Sequence, residues 1–345
     1  MNYSAVIEDI LAGNDLGPDQ AQTVMDEIMD GNLDEARVAG VLVALRAKGE
    51  TPGEIAGFAR SMRRHASSFE LADKYRPLVD TCGTGGDKVE TINISTIAAL
   101  VAAAGGARVA KHGNRSVSSS CGSADLLEAL GVQIELEPQQ VKKSIEEVGI
   151  GFMYAPKFHA AMKHAIGPRK SLGIRTVFNL LGPLTNPAGA DRQLLGVFAP
   201  RWVLPVAEAL AALGVEKALV VHGMDGMDEI SLSAPTRFAE VNKGKIDEGE
   251  FHPSDFELNE IDISEIAGGS VDKNTSIARR LFEGEASGPV NSIVAVNAGA
   301  VLYLAGGADS LAGGVKRAKK IIEEGRVEKT VRRLVEFTQK MAEKS

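Results

Sequence analysis

A chain of 345 residues is longer than a single hydrophobic core usually grows, which predicts two domains. Its 44% hydrophobic and 24% charged residues are those of an ordinary globular protein and carry no low-complexity tract. The 46 acidic against 38 basic residues leave a formal charge of −8, which argues against nucleic acid as a partner, since that binding rests on accumulated positive charge.

The amino end, MNYSAVIEDILAG, lacks the basic start and long apolar centre of a secretory signal and reads as the first helix. From Ser4 to about Ser67 apolar residues recur at helical spacing: Val6, Ile7 and Ile10; Val24, Ile28 and Met29; Val38, Val41, Leu42 and Leu45. Gly13-Asn14-Asp15, Gly31-Asn32 and Gly49-Glu50-Thr51-Pro52 interrupt them with turn signals, Thr51 being suited to an N-cap and Pro52 to the first helical position. A bundle of about four helices is expected over residues 1–70.

Near Tyr75 the pattern changes. Apolar runs at Pro77–Asp80, Gln133–Leu136, Leu194–Phe198 and Ala218–His222 alternate with helical stretches such as Ile97–Ala104, Ala124–Leu130 and Val203–Leu213. The fold class expected is therefore α/β: a small all-helical amino-terminal domain, then a larger domain over 75–345 with a mostly parallel central sheet. A basic helical stretch over 157–180 breaks the rhythm and is expected to join the helical domain in space. Arg237–Phe251, around Asn242-Lys-Gly, reads as a hairpin, and the chain from Leu311 on as one long charged helix. The apolar segment SIVAVNAGAVLYLAGG, broken by Asn297 and small residues, is too short for a membrane span. A cytoplasmic protein without membrane association is expected, with Cys82 and Cys121 as reduced thiols.

Four stretches carry chemistry. TCGTGGDKVETINIST, Thr81–Thr96, runs from a strand through Gly83, Gly85 and Gly86 to a helix start at Asn93-Ile-Ser-Thr96. It fits neither the dinucleotide fingerprint, which needs a glycine where Lys88 stands, nor the P-loop, yet backbone amides at glycines and at a helix start make an anion site. KHGNRSVSSSCGSAD, Lys111–Asp125, crowds an ammonium, a guanidinium, an amide and five hydroxyls after a strand-like Arg108-Val-Ala110, a density of donors suited to a charged, hydroxyl-rich ligand. HGMDGMDEIS places Asp225, Asp228 and Glu229 after the strongest predicted strand, where hard oxygen donors suit Mg²⁺ shared with substrate phosphates. The basic stretch Met162–Arg175 holds Lys163, His164, Arg169, Lys170 and Arg175, any arginine of which suits a substrate carboxylate.

Together these motifs resemble the anthranilate phosphoribosyltransferases, enzymes with the class III nucleoside-phosphorylase-like fold. The resemblance spans nearly the whole chain: Gly83-Thr-Gly-Gly-Asp87, Asn93-Ile-Ser-Thr96, Lys111-His-Gly-Asn-Arg115, Gly122-Ser-Ala-Asp125, the run Gly173–Pro187, and Asp228-Glu229. It implies a Mg²⁺-dependent transfer in tryptophan biosynthesis: the amine of anthranilate displaces pyrophosphate from C1 of phosphoribosyl pyrophosphate. It further implies that Gly86, Asp87, Thr91, Asn93, Ile94, Ser95, Thr96, Lys111, His112, Gly113, Asn114, Arg115, Ser116, Val117, Ser118, Ser119 and Ser123 hold phosphoribosyl pyrophosphate. Gly83, Asn114 and Arg169 would contact anthranilate, Ser95, Asp228 and Glu229 would serve Mg²⁺, and the helical domain would form a homodimer. No residue is marked as a general base. The sequence departs from the family pattern at Ser120, where a basic residue is usual, and at Cys121, where a serine is.

Overall fold

The computed structural model describes residues 2–86, 89–116, 120–286 and 288–343. Four helices come first: α1 (Tyr3–Leu11), α2 (Pro18–Met29), α3 (Glu35–Lys48) and α4 (Pro52–Arg64). The start of α4 follows the local chemistry read from the sequence. Thr51 Oγ accepts from Glu54 N at 3.3 Å, and the Glu54 carboxylate accepts from Thr51 N at 2.8 Å, a capping box with Pro52 in the first turn.

A sheet of seven strands follows, built from β1 (Leu78–Gly83), β2 (Arg108–Gly113), β3 (Ile150–Tyr154), β4 (Arg192–Gly196), β5 (Lys217–Gly223), β6 (Thr236–Asn242) and β7 (Lys245–Phe251). Its order is β3-β2-β1-β4-β5-β6-β7, with the first five parallel and β6 and β7 an antiparallel hairpin. The order reverses direction between β1 and β4. Ligands of such sheets settle beyond the carboxyl ends of the strands at that reversal.

Between the strands lie α5 (Ile94–Ala104), α6 (Ser123–Ala129), α7 (Pro138–Glu147), α8 (Ala155–Phe158), α9 (Lys163–Leu172), α10 (Phe178–Leu181) and α11 (Val203–Ala212). After the hairpin come α12 (Val271–Phe282), α13 (Gly288–Leu304), α14 (Leu311–Glu323) and α15 (Arg326–Ala342). The nearly all-apolar α5 and α13 pack on each other and on β1 and β4. On the opposite face α11 packs on α4, while α9 packs on α2 and α3. One buried cluster accordingly runs from Ile10, Ile28 and Phe58 of the bundle through Ala165 and Phe178 to Leu195 and Val220 of the sheet. Burying side chains of this size stabilises by roughly 1.5–3 kcal/mol each, enough to hold bundle and sheet as one piece.

Two expectations are corrected. Gln133–Leu136 alternates in burial, with Val132, Ile134 and Leu136 buried and Gln133 and Glu135 exposed, but it forms no strand. The alternation that suggested one is produced by packing on the helical layer: Gln133 N donates to Thr338 Oγ of α15 at 3.1 Å, and no neighbouring strand lies alongside. The carboxyl-terminal helix is two helices, because Gly325 adopts φ +62° between α14 and α15 and turns the chain. The strand β3, for its part, was hidden in a five-residue apolar run that periodicity alone does not separate from a helix.

Candidate active site

Four strands end side by side in glycine: β1 at Gly83, β2 at Gly113, β4 at Gly196 and β5 at Gly223. The loop after β5 folds back across β4 and β1. A Cβ on Gly83 would meet the Asp228 carboxylate, and one on Gly196 would overlap the Asp228 backbone. Only hydrogens at these two positions let Asp228 reach the glycine turn, where its Oδ2 accepts from Gly85 N at 2.7 Å. Gly85 and Gly86 themselves take φ +68° and +73°, a turn that a side chain would strain.

Glu229 crosses to the start of α5. Its Oε1 accepts from Ser95 N at 3.1 Å, so a carboxylate stands at the positive end of that helix. The pair Asp228 and Glu229, only 8% and 9% exposed, thus ties the glycine turn and the helix start into one cleft. Among the described residues no three His, Cys, Asp or Glu side chains converge as a metal cage. Two hard carboxylates without a full cage fit Mg²⁺, which commonly takes one or two carboxylates and completes its shell with water and substrate phosphate. Asp225 does not join the pair: its carboxylate accepts from Ser231 Oγ at 2.5 Å, from Ser233 Oγ and from Met227 N.

The second loop closes against the first. Asn93 Nδ2 donates to Cys121 O at 2.8 Å, and Asn93 Oδ1 accepts from Asn274 Nδ2 of α12 at 2.9 Å, so Asn93 joins two loops and a helix. Thr91 bridges to Ala267, and Ile94 and Thr96 are buried where α5 begins. Asp125 accepts from Ser116 N at 3.1 Å and Gly122 N at 2.9 Å, and Ser123 Oγ donates to Asn114 O at 3.1 Å. Asn114 is exposed and turns its Oδ1 onto Arg115 N. Arg115 is engaged by Asp125 at 3.1 Å and Glu128 at 2.8 Å, above Tyr154. Asp87, Val117, Ser118 and Ser119 lie outside the described residues.

Lys111 and His112 point away from this opening. Lys111 is 2% exposed, and its Nζ donates to Thr81 O at 2.7 Å. It shares the interior with Asp80, a fully buried carboxylate that accepts from Asn186 Nδ2 at 2.8 Å and His112 N at 3.2 Å. Burial pushes the Asp80 carboxyl up, and Lys111 opposes that push. Asp80 and Asn186 were not singled out from the sequence, although a carboxylate closing an apolar run is itself a signal of a buried polar centre. Asn186 also donates to Ala110 O at 2.8 Å, joining β1, β2 and the chain after α10. His112 and His159 face each other with ring centroids 5.0 Å apart. Burial, with His159 as a second cause, lowers His112 to about 3, and burial lowers His159 to about 4, so both rings are neutral near pH 7. Burial likewise pushes both cysteine thiols up, Cys82 furthest, with the neighbouring Asp80 adding to the push.

On the far wall Arg169 of α9 lies over the Phe178 ring at 5.1 Å, and burial pulls its guanidinium down from the usual arginine range. No ion pair to a described carboxylate engages it. Arg175 rests over Phe198 at 4.4 Å and donates to Gly86 O, linking the chain after α9 to the glycine turn.

Residues 75–328 match the family described as "Glycosyl transferase family, a/b domain", and residues 4–66 match its "helical bundle domain". The fold and the cleft define that class of two-domain transferase. An anthranilate phosphoribosyltransferase of Desulfatibacillum aliphaticivorans is 49% identical over 98% of this chain and 99% of its own, and one of Halorhodospira halophila is 48% identical over 99% and 100%. The crystal structure of the anthranilate phosphoribosyltransferase from Thermus thermophilus superposes with a TM-score of 0.92 at 47% identity, covering 98% of this chain and 100% of that one. The Saccharomyces cerevisiae enzyme in complex with PRPP and Mg gives 0.87 at 27% identity, covering 98% of each chain. The chain belongs to the anthranilate phosphoribosyltransferase family.

Proposed function

We propose that this chain transfers the phosphoribosyl group of phosphoribosyl pyrophosphate to the amine of anthranilate, releasing pyrophosphate, as a Mg²⁺-dependent step of tryptophan biosynthesis in the cytoplasm. The observation that carries the reading is the meeting of Asp228 and Glu229 with Gly85 and Ser95, which places two carboxylates beside a glycine turn and a helix start. Gly86, Asp87, Thr91, the first turn of α5 from Asn93 to Thr96, the loop from Lys111 to Ser119 and Ser123 hold the phosphoribosyl pyrophosphate. Within that set Lys111 and His112 act from the interior, steadying the strand ends beneath the ligand. Ser95, Asp228 and Glu229 serve Mg²⁺, which when bound neutralises charge on the departing pyrophosphate.

The Gly85 and Ser95 amides hold the Asp228 and Glu229 carboxylates in place before substrate arrives, so the Mg²⁺ those carboxylates would bind is pre-positioned for the charge that builds as the C1–O bond breaks. Gly83, Asn114 and Arg169 hold anthranilate, with its carboxylate on Arg169 in a charge-assisted pair. An aryl amine is neutral at pH 7 and needs orientation more than deprotonation before it attacks. Cleavage of the bond to pyrophosphate and formation of the C1–N bond balance with loss of one amine proton. With the chain divided into residues 1–70, with 157–180 packed against them, and 75–345, Arg169 would come to anthranilate from the helical side and Gly83 and Asn114 from the strand ends that also hold the phosphates.

A homodimer through the helical domain completes the reading, with the exposed Leu11, Val43 and Ile166 of α1, α3 and α9 as positions that a second copy would cover. The reading is tested with the double variant Asp228→Asn, Glu229→Gln, which is expected to abolish Mg²⁺-dependent turnover while circular dichroism and the unfolding midpoint stay near those of the parent. Retained turnover in the double variant contradicts the metal assignment.

A further inference from the structure

Asn297 is the polar residue that interrupts the most apolar stretch of the chain. It sits in the middle of α13 with no exposed surface, and a buried amide there is costly unless its hydrogen-bonding groups are satisfied. They are. Its Oδ1 accepts from Ile230 N at 3.0 Å, and its Nδ2 donates to Ile230 O at 3.0 Å and to Ile293 O at 3.0 Å. One side chain therefore grips both backbone groups of a single residue in another element, as a neighbouring strand would. Ile230 directly follows Glu229, so this grip fixes the peptide that leaves the Asp228-Glu229 pair. Its upstream side is fixed separately, by Asp225 accepting from Met227 N and by the seat of the Asp228 backbone against Gly196, while Ser231 and Ser233, past Ile230, donate back to Asp225 and close the loop.

We propose that Asn297 is a positioning residue for the metal-binding pair: clamped at Ile230, the loop aims the Asp228 and Glu229 carboxylates at the site of Mg²⁺ and the substrate phosphates. The inference rests on the metal reading of Asp228 and Glu229. Nothing in Asn297 touches substrate; it acts through the backbone it holds. Groups that orient a metal ligand commonly contribute 10–100-fold to metal affinity, far more than an equally buried hydrogen bond elsewhere in the fold.

The test measures phosphoribosyl pyrophosphate binding by calorimetry across a series of Mg²⁺ concentrations. Asn297→Leu, which keeps volume and removes all three hydrogen bonds, and Asn297→Ser, which leaves room for water, are each expected to raise the half-saturating Mg²⁺ about tenfold or more. Ser144→Ala removes another buried hydrogen bond, Ser144 Oγ to Ile150 O at 2.7 Å, and is expected to lose stability with no change in the Mg²⁺ midpoint. Unchanged midpoints in both Asn297 variants, with Glu229→Gln raising its own, overturn the clamp. An unchanged midpoint in Glu229→Gln locates the failure in the metal reading instead. Hydrogen exchange of the parent protein gives a check free of substitutions: the Ile230 amide is expected to exchange slowly although it belongs to a loop, and rapid exchange there overturns the proposal.

Discussion

Arg169 is poised for an external anion: partly desolvated, laid on Phe178, and engaged by no ion pair to a described carboxylate. Charge-assisted hydrogen bonds contribute about 1.5–3 kcal/mol. Arg169→Gln is therefore expected to raise KM for anthranilate roughly 10–100-fold, leaving KM for phosphoribosyl pyrophosphate within about twofold, as steady-state kinetics with each substrate varied will report. Lysine at the same position restores charge but not the fork, and recovers only part of the loss. At this scale the sequence pointed to the glycine turn and the Asp228-Glu229 pair by residue type, and the structure brings these together, whereas Arg169 was singled out from the other basic residues of its stretch only by the family resemblance. The orientation of Lys111 and His112 was not legible. Their motif places them after a strand, but only the buried Asp80 beneath explains why they turn inward.

The neutral histidine pair has a consequence for pH. His112 and His159 titrate at about 3 and about 4 in the fold against 6.5 in the unfolded chain, where they take up protons first as pH falls. Their contribution to stability is complete above about pH 6.5 and is lost as pH falls toward 4, since the unfolded state then binds more protons. Urea midpoints are expected to drop between pH 7 and pH 5, and to drop less in His159→Gln; an identical drop in that variant removes His159 as a cause.

Elements meet in this protein through glycine. Gly83→Ala and Gly196→Ala put a methyl group into the seat of Asp228, and overpacking of this kind costs about 1–3 kcal/mol. Both variants are expected to lose stability by that order in urea denaturation and to require more Mg²⁺ for half-maximal turnover, Gly196→Ala the more strongly because it meets backbone. Gly173→Ala, a glycine at φ +62° with open space about it, is strained without displacing any carboxylate, so its Mg²⁺ requirement stays that of the parent. Element by element, the helical bundle was readable from spacing and caps, as the capping box at Thr51 shows. Gln133–Leu136 was not, because alternation records which side chains are buried and is silent on whether a neighbouring strand exists. The break at Gly325 was missed because charge and periodicity continue on both sides of it, and only the backbone conformation of one glycine separates α14 from α15.

Across the whole molecule, the sheet order β3-β2-β1-β4-β5 sets the cleft at the reversal between β1 and β4, with the bundle closing one side. The proposed dimer through the helical domain would cover Leu11, Val43 and Ile166, exposed on α1, α3 and α9. Light scattering during size exclusion is expected to give about twice the chain mass for the parent and a shift toward monomer for Val43→Lys, and a monomeric parent removes the docking assignment. Alternating helices and strands made the α/β architecture legible from the sequence, whereas the strand order was not, since pairing between distant segments leaves no local trace.

Anthranilate fluorescence followed over time tests the reaction itself most directly. With purified protein, phosphoribosyl pyrophosphate and Mg²⁺ together, the signal is expected to fall, and to stay level when any one of the three is left out. A level signal in the complete mixture, from protein shown to be folded, would contradict anthranilate as the acceptor.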